Sequence, residues 1–398
     1  MTVPVNAASS LDGMRARAES WLLARQDASG AWTLPLRPGV SAPSVAMTVL
    51  ALTALDDGDA PHSDAVGQGV TWLAARQNPD GSFGDGEDGR YYRPYCTALA
   101  LWMLPGGAGR HAAQIIGAVD YLRRNQRHGS LDHGGIGHGM VAPAPTPQDP
   151  HATFTRTFAM ISPTSMAAEG MRRAGVLPGD PFLTGVIEYV RSCQNDLGVN
   201  TRPDVLDYLA GNGFQLSGDG GIVSTLENLR RPPGWTRRAD ADPVVASGIS
   251  TCQGLTAYLR SGLSPDAPEA AAALRWIRDH YSVTEHAGFA DVMHAGQRPL
   301  WPTEHGGFRQ TDSDDMTQAG WYLYVFSLAQ ALDGAGVEVI QTADGTRHAC
   351  SAELGAALRA AQSPEGCWTN PNPRWLEFDA VLSTAFALST INILSKKQ

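Results

Sequence analysis

The sequence predicts an all-α protein: an α6/α6 barrel (toroid) of six outer/inner helix pairs, in one domain spanning residues 1–398, with residues 1–14 as a loosely ordered N-terminal arm. Three observations predict it. A short pattern recurs along the chain, the mark of a repeat architecture. Each copy is followed, past a loop, by a uniformly apolar segment of helical length. No stretch sustains the period-two alternation of a half-buried strand, so strands should be few.

The pattern is set by Trp21, Gln26, Gly30 and Trp32, which read aromatic–x4–Gln–x3–Gly–x–aromatic. Trp72, Gln77, Gly81 and Phe83 repeat it. Tyr121 to Gln126 and Tyr189 to Gln194 keep the offset from aromatic to Gln, and Trp276 to Tyr281 keeps it with Tyr in place of Gln. Gln362, Gly366 and Trp368 restore the tail of the motif. Each copy closes an amphipathic helix with its aromatic on the apolar face. The apolar segments lie near 43–55, 94–104, 161–174, 246–261, 316–333 and 379–394. Their small residues suit close packing and their apolarity suits burial on both sides, which assigns them to an inner ring.

The connections are asymmetric. Inner-to-outer turns are mostly short, whereas the outer-to-inner loops 127–160, 195–245 and 282–315 are long and rich in Gly, His and aromatic residues. Long loops in a compact domain are either functional or disordered. These three share the end where the inner helices start, and they read as the walls and lid of a cavity mouth.

Composition narrows the function classes. The chain is 43% hydrophobic and 18% charged, with a formal charge of −10 and no basic run, which argues against nucleic acid or an anionic membrane surface as partner. Its five scattered cysteines lack CxxC spacing, as expected of reduced thiols in a cytoplasmic protein. The N-terminal stretch has no apolar signal-peptide core, and no apolar run reaches membrane-spanning length.

The most acidic short run is Asp312-Ser313-Asp314-Asp315, followed by Met316-Thr317 at the expected start of the fifth inner helix. Carboxylates crowded in a desolvated cavity hold one another's protons, which makes a strong general acid. Asp and Ser ahead of a helix also serve as ordinary N-caps.

The repeated pattern resembles the QW motif of the prenyltransferase and squalene-cyclase superfamily, over roughly residues 15–395. The C-terminal half, through 249–255, 276–281 and 368–375, is similar to bacterial single-barrel "squalene oxidase repeat" proteins. Class II terpene cyclases of this superfamily carry DxDD at an inner-helix start, and the acidic run matches it. The resemblance implies that Asp314 protonates an alkene or epoxide while Asp312 and Asp315 orient it and keep its pKa high. The cation so formed needs a dry pocket with aromatic faces. Candidate substrate-binding residues are Trp321, Trp301, Phe308, Tyr95, Tyr92 and Trp375, with His305 and His294 as partners that could tune Asp314. Tyr91, Phe154 and Phe158 are further aromatic candidates, and any of these rings could equally be core or lid packing. A hydrophobic small molecule is the expected partner. Because the familiar cyclases place their site between two barrels, a homodimer could close the cavity here, as could the chain's own loops.

Other branches fit less well. Protein prenyltransferase β subunits hold zinc through an Asp, a Cys two residues later and a His on the last inner helix. Here the second position is Met316, and Asp379–Thr384 contains no His. No Mg²⁺-binding DDxxD run is present, which argues against ionisation of a diphosphate, and with no metal-ligand spacing no cofactor is expected. The Gly-rich stretch 132–139 resembles one motif of lanthionine-synthetase cyclases, and a His-based metal site from His133, His138 and His151 is the alternative it leaves open. A barrel that binds a hydrophobic or peptide ligand without cyclising it is another.

Overall fold

A computed structural model describes residues 10–37, 40–56, 63–84, 92–104, 109–129, 131–138, 158–229, 240–294, 316–372 and 374–396. In chain order the helices are α1 (Leu11–Leu23), α2 (Val45–Leu55), α3 (Ser63–Ala74), α4 (Arg93–Met103), α5 (Ala112–Asn125), α6 (Ile161–Arg173), α7 (Pro181–Ser192), α8 (Pro203–Gly211), α9 (Gly248–Arg260), α10 (Pro268–Asp279), α11 (Phe289–His294), α12 (Trp321–Gly334), α13 (Cys350–Ala361) and α14 (Ala380–Ser395). The strands form three short pairs, antiparallel Thr33–Arg37 with Val40–Pro43, parallel Phe214–Gln215 with Asp242–Pro243, and antiparallel Val339–Gln341 with Arg347–Ala349. The fold is all-α, as the periodicity predicts. Helix α1 starts inside the stretch expected to be a loose arm, and no described helix is long and apolar enough to cross a membrane.

The chain forms two compact units, Met1–Gln77 with Ser282–His286 and Thr303–Gln398, and Asn78–Tyr281 with Ala287–Pro302. In the first, α14 packs between α2 and α12, with α1 and α13 against α14 and α3 against α2. In the second, α6 packs between α4 and α9, with α5 against α4, α10 against α9, and α7 against both α6 and α9. Each unit is therefore a row of three buried helices flanked by amphipathic ones. In α2 only Ala46 and Thr53 escape burial, whereas α5 buries only Ala118, Tyr121 and Leu122.

The recurring residues make recurring bonds. The Gln26 side-chain amide donates to the carbonyls of Gly30 and Ala65, Gln126 to Gly134 and Phe182, Gln194 to Gly220 and Glu269, and Gln362 to Gly366 and Met14. Each Gln thus ties its own loop to the first turns of another amphipathic helix, and the buried amides of Gln126 and Gln194 are satisfied. The glycine must be glycine: at Gly134, φ is +84° and an added Cβ would lie 1.9 Å from the carbonyl oxygen of Gly185. The residue two further on donates its N–H to a threonine of the following buried helix. These pairs are Trp32 with Thr48, Phe83 with Thr97, Ile136 with Thr164, Ile222 with Thr251 and Trp368 with Thr384.

Two expectations are corrected. The fifth apolar helix does not begin near Met316: residues Met316–Gln318 form a 3-10 turn, Gly320 turns left-handed at φ +69°, and the α-helix starts at Trp321. A left-handed residue cannot continue a right-handed helix, so the chain is re-aimed there. The loop 195–245 is also less irregular than its composition suggests, because Pro203 opens the helix α8.

Candidate functional site

Asp312, Asp314 and Asp315 lie outside the described residues, as do Trp301, His305, Phe308, His151, Tyr91 and Phe154. His294 is the last residue of α11. Trp321 and Trp375 belong to one group, and Tyr92, Tyr95 and His138 to another, one in each unit.

The first group surrounds the start of α12. Trp321, Tyr322 and Tyr324 are buried along its first turn, and the rings of Trp321 and Tyr322 meet edge to face at 4.9 Å. The indole N–H of Trp321 donates to the Val283 carbonyl and the Tyr324 hydroxyl to the Ser282 carbonyl, which fastens residues 282–286 against the helix. His286 is carried by that segment. Its Nδ1 sits 2.8 Å from the Ala319 carbonyl oxygen. A carbonyl only accepts, so the proton is on Nδ1 and the acceptor lone pair is on Nε2. The imidazole stacks on Tyr324 at 5.2 Å and meets Trp375 at 6.0 Å. Burial pushes its pKa down to about 3, with nearby Arg374 acting in the same direction and the Ala319 bond opposing, so the ring is neutral at pH 7. Trp375 and Leu376 are both left-handed, at φ +53° and +63°, a costly conformation for side chains of their size. The Arg374 guanidinium lies 5.8 Å from the Trp375 ring centroid.

Glu377 completes this group, and sequence reading missed it. Its side chain is wholly buried. One carboxylate oxygen accepts the Leu323 N–H at 2.8 Å, and the other accepts the Tyr322 N–H at 3.2 Å and the Asn370 amide at 2.7 Å. Burial pushes its pKa up to about 7 against those bonds, which favour the charged form. No local spacing announces such a residue, since its partners on α12 are more than fifty positions away. The signal available was an acid set between Trp375, Leu376 and Phe378 just ahead of a buried helix.

The second group lies at the start of α4 and ahead of α6. His138 packs against Tyr95 at 5.5 Å and Tyr92 at 6.0 Å, and its Nδ1 is 3.2 Å from the Met160 sulfur. Burial pushes the His138 pKa down to about 4, so this imidazole is also neutral. The structure thus joins two residues predicted to face substrate with one predicted as an alternative metal ligand. His133 has a different partner: its Nε2 is 3.1 Å from Glu188, on a cleft of about 470 Å³ that also includes His128, Arg191, Asn200 and Arg202 and none of the other predicted site residues. Among the described residues no three His, Cys, Asp or Glu side chains are gathered as a metal ion would require. Asp132 accepts the Ala159 N–H, and burial raises its pKa to about 6.

Among solved structures, a variant of the type II terpene cyclase MstE from Scytonema, in complex with its substrate geranylgeranyl dihydroxybenzoate, matches with a TM-score of 0.57 over 98% of both chains, at 16% identity. The chain has the fold of a type II terpene cyclase. A protein from Actinoplanes shares it at a TM-score of 0.54 and 16% identity, over 97% of this chain and 100% of that one. So does a glycosidase variant in complex with glucose, at 0.50 and 16% identity over 99% of both chains. No protein-family model matches the sequence, and no curated protein matches it. The terpene-cyclase fold therefore hosts more than one chemistry, and the chemistry has to be argued from side chains.

Proposed function

We propose that the protein cyclises an isoprenoid or an isoprenoid-bearing small molecule by the class II, protonation-initiated route. The observation that carries this is the placement of the sequence Asp312-Ser313-Asp314-Asp315, immediately ahead of the turn and helix start where Trp321, Tyr322, Tyr324, Trp375 and neutral His286 gather, in a chain with this fold. In this reading the Asp314 carboxyl transfers its proton to one carbon of a terminal alkene. The other carbon becomes a cation, and an internal alkene attacks it to close a ring. The final cation gives up a proton to water, and the Asp314 carboxylate regains one from solvent, so that charge and acid are both restored. Asp312 and Asp315 keep the proton on Asp314 between turnovers. Trp321, Trp375, Tyr92, Tyr95, Trp301 and Phe308 are assigned to the substrate, with His294 and His305 as polar partners.

The proposal includes closure of the outer and inner helices into one α6/α6 barrel domain over residues 1–398, a cytoplasmic location and a homodimer. Turnover of geranylgeranyl dihydroxybenzoate, with chelator present, tests the chemistry. The expected result is a cyclised product made without metal, and a loss of about 100-fold or more in Asp314→Asn. Unchanged turnover in Asp314→Asn, or restoration only by added metal, would sink it.

A further inference from the structure

The start of α12 is capped by a carboxylate brought from a distant loop, whereas the carboxylate that caps α14 is that helix's own N-cap, Asp379. Glu377 is fastened at both ends. Its main-chain carbonyl accepts the Asn370 N–H and the Ser383 hydroxyl, anchoring it at the start of α14. Its carboxylate caps α12 through the Tyr322 and Leu323 N–H groups. Asn370 extends the connection: one side-chain amide nitrogen donates both to Glu377 and, at 2.7 Å, to the carbonyl of Gln318. Gln318 closes the turn Met316–Gln318, which directly follows the acidic run in sequence. The two left-handed residues Trp375 and Leu376 make the tight bend that delivers Glu377, a strain kept only where the surroundings hold it.

We propose that Glu377 is a positioning residue for the cyclisation, fixing through its carboxylate and Asn370 both the first turn of α12 and the turn that leads into it. The catalytic consequence rests on the cyclase reading; the structural one rests on the geometry alone. The charged and titratable groups around Glu377 are Tyr322, whose phenol burial and Glu377 itself hold above the ordinary range, Arg374 and Asp379 on its own loop, and His286, which Arg374 disfavours from protonating. With its pKa near 7, acidification turns the capping carboxylate into a neutral acid, a weaker acceptor.

Hydrogen–deuterium exchange on the full chain tests this without substrate. In the wild type, local opening that breaks the two caps while Glu377 stays buried becomes easier as acidification protonates the acceptor, so protection of the Tyr322 and Leu323 amides falls as pH drops through about 7 although global stability does not. Glu377→Gln preserves shape but loses one acceptor oxygen, so protection at those amides drops about tenfold at pH 8 and no longer varies with pH. Asn370→Ala keeps the cap but loosens Met316–Gln318. With geranylgeranyl dihydroxybenzoate as probe, Glu377→Gln lowers kcat about tenfold or more with KM unchanged, and flattens the pH–rate profile near 7. Equal amide protection in Glu377→Gln and wild type overturns the proposal, as does an unchanged kcat where protection is lost. A wild type that never converts the probe defeats the cyclase reading instead, and the exchange result then decides whether Glu377 fixes the helix start.

Discussion

The starts of α2, α4, α6, α9 and α14 and the start of α12 solve the same problem differently. At the first five, a threonine one turn into the helix (Thr48, Thr97, Thr164, Thr251 or Thr384) accepts an N–H from the preceding loop. The bond is local to each repeat and uncharged, and at α14 the N-cap Asp379 adds a carboxylate that accepts the Val381 and Leu382 N–H groups. At α12 the corresponding turn carries Tyr324, and a buried carboxylate from Glu377 holds the backbone instead. A threonine staple costs little and does not titrate. A buried carboxylate is expensive to desolvate and changes state near neutral pH. The chain departs from its own repeat at the helix start that follows the acidic run in sequence.

The comparison can be broken or sharpened by experiment. The largest effect should come from the repeat's steric demand. Gly134→Ala places a methyl against the Gly185 backbone and should cost about 3 kcal/mol or more, whereas Gly179→Ala, at φ +86° with open space around it, should cost about 1 kcal/mol. Similar melting temperatures for the two variants would show that the close approach is not required.

Next is the titration of Glu377. Its pKa rises from 4.5 to about 7 on folding, so between those values the folded state holds the proton that the unfolded state has lost. This group therefore contributes full stability below pH 4.5, and loses it as pH rises to about 7, by on the order of 3 kcal/mol. Glu377→Gln should remove that slope from denaturant melts. His286 and His138 act oppositely. Their folded pKa values, about 3 and about 4, lie below the ordinary 6.5, so their contribution is present above 6.5 and lost as pH falls toward those values. His286→Gln should therefore reduce acid lability, and a steeper acid transition in that variant would contradict its burial as a neutral ring.

A smaller effect, about 1–2 kcal/mol, is expected for Thr164→Val, which strands the buried Ile136 N–H. Equivalent losses at Thr251 and Thr384 would show that the five staples are interchangeable. Smallest is Arg278→Ala, which breaks an exposed pair with Asp279 and should shift stability by less than about 0.5 kcal/mol.

Much of this organisation was legible in the sequence because a repeat states each rule several times. Gln26, Gln126, Gln194 and Gln362 occupy matching places, and the bonds of one explain the others. The helix start was placed at Met316 because that residue ends the acidic run, and the 3-10 turn at Met316–Gln318 and the left-handed Gly320 move it to Trp321. His286 and Glu377 were invisible for a different reason. Each occurs once, and each acquires its role from partners distant in the chain.

The sequence by itself determined the helical class, the alternation of buried and amphipathic helices, the recurring aromatic–Gln–Gly pattern and the acidic run, because all of these depend on residue type at short, repeated spacing. The tertiary structure alone decided that a glutamate more than fifty residues away caps α12, that two imidazoles stay neutral, and that His138 keeps company with tyrosines while His133 pairs with Glu188. Burial and long-range approach set those states, and neither is written in local spacing.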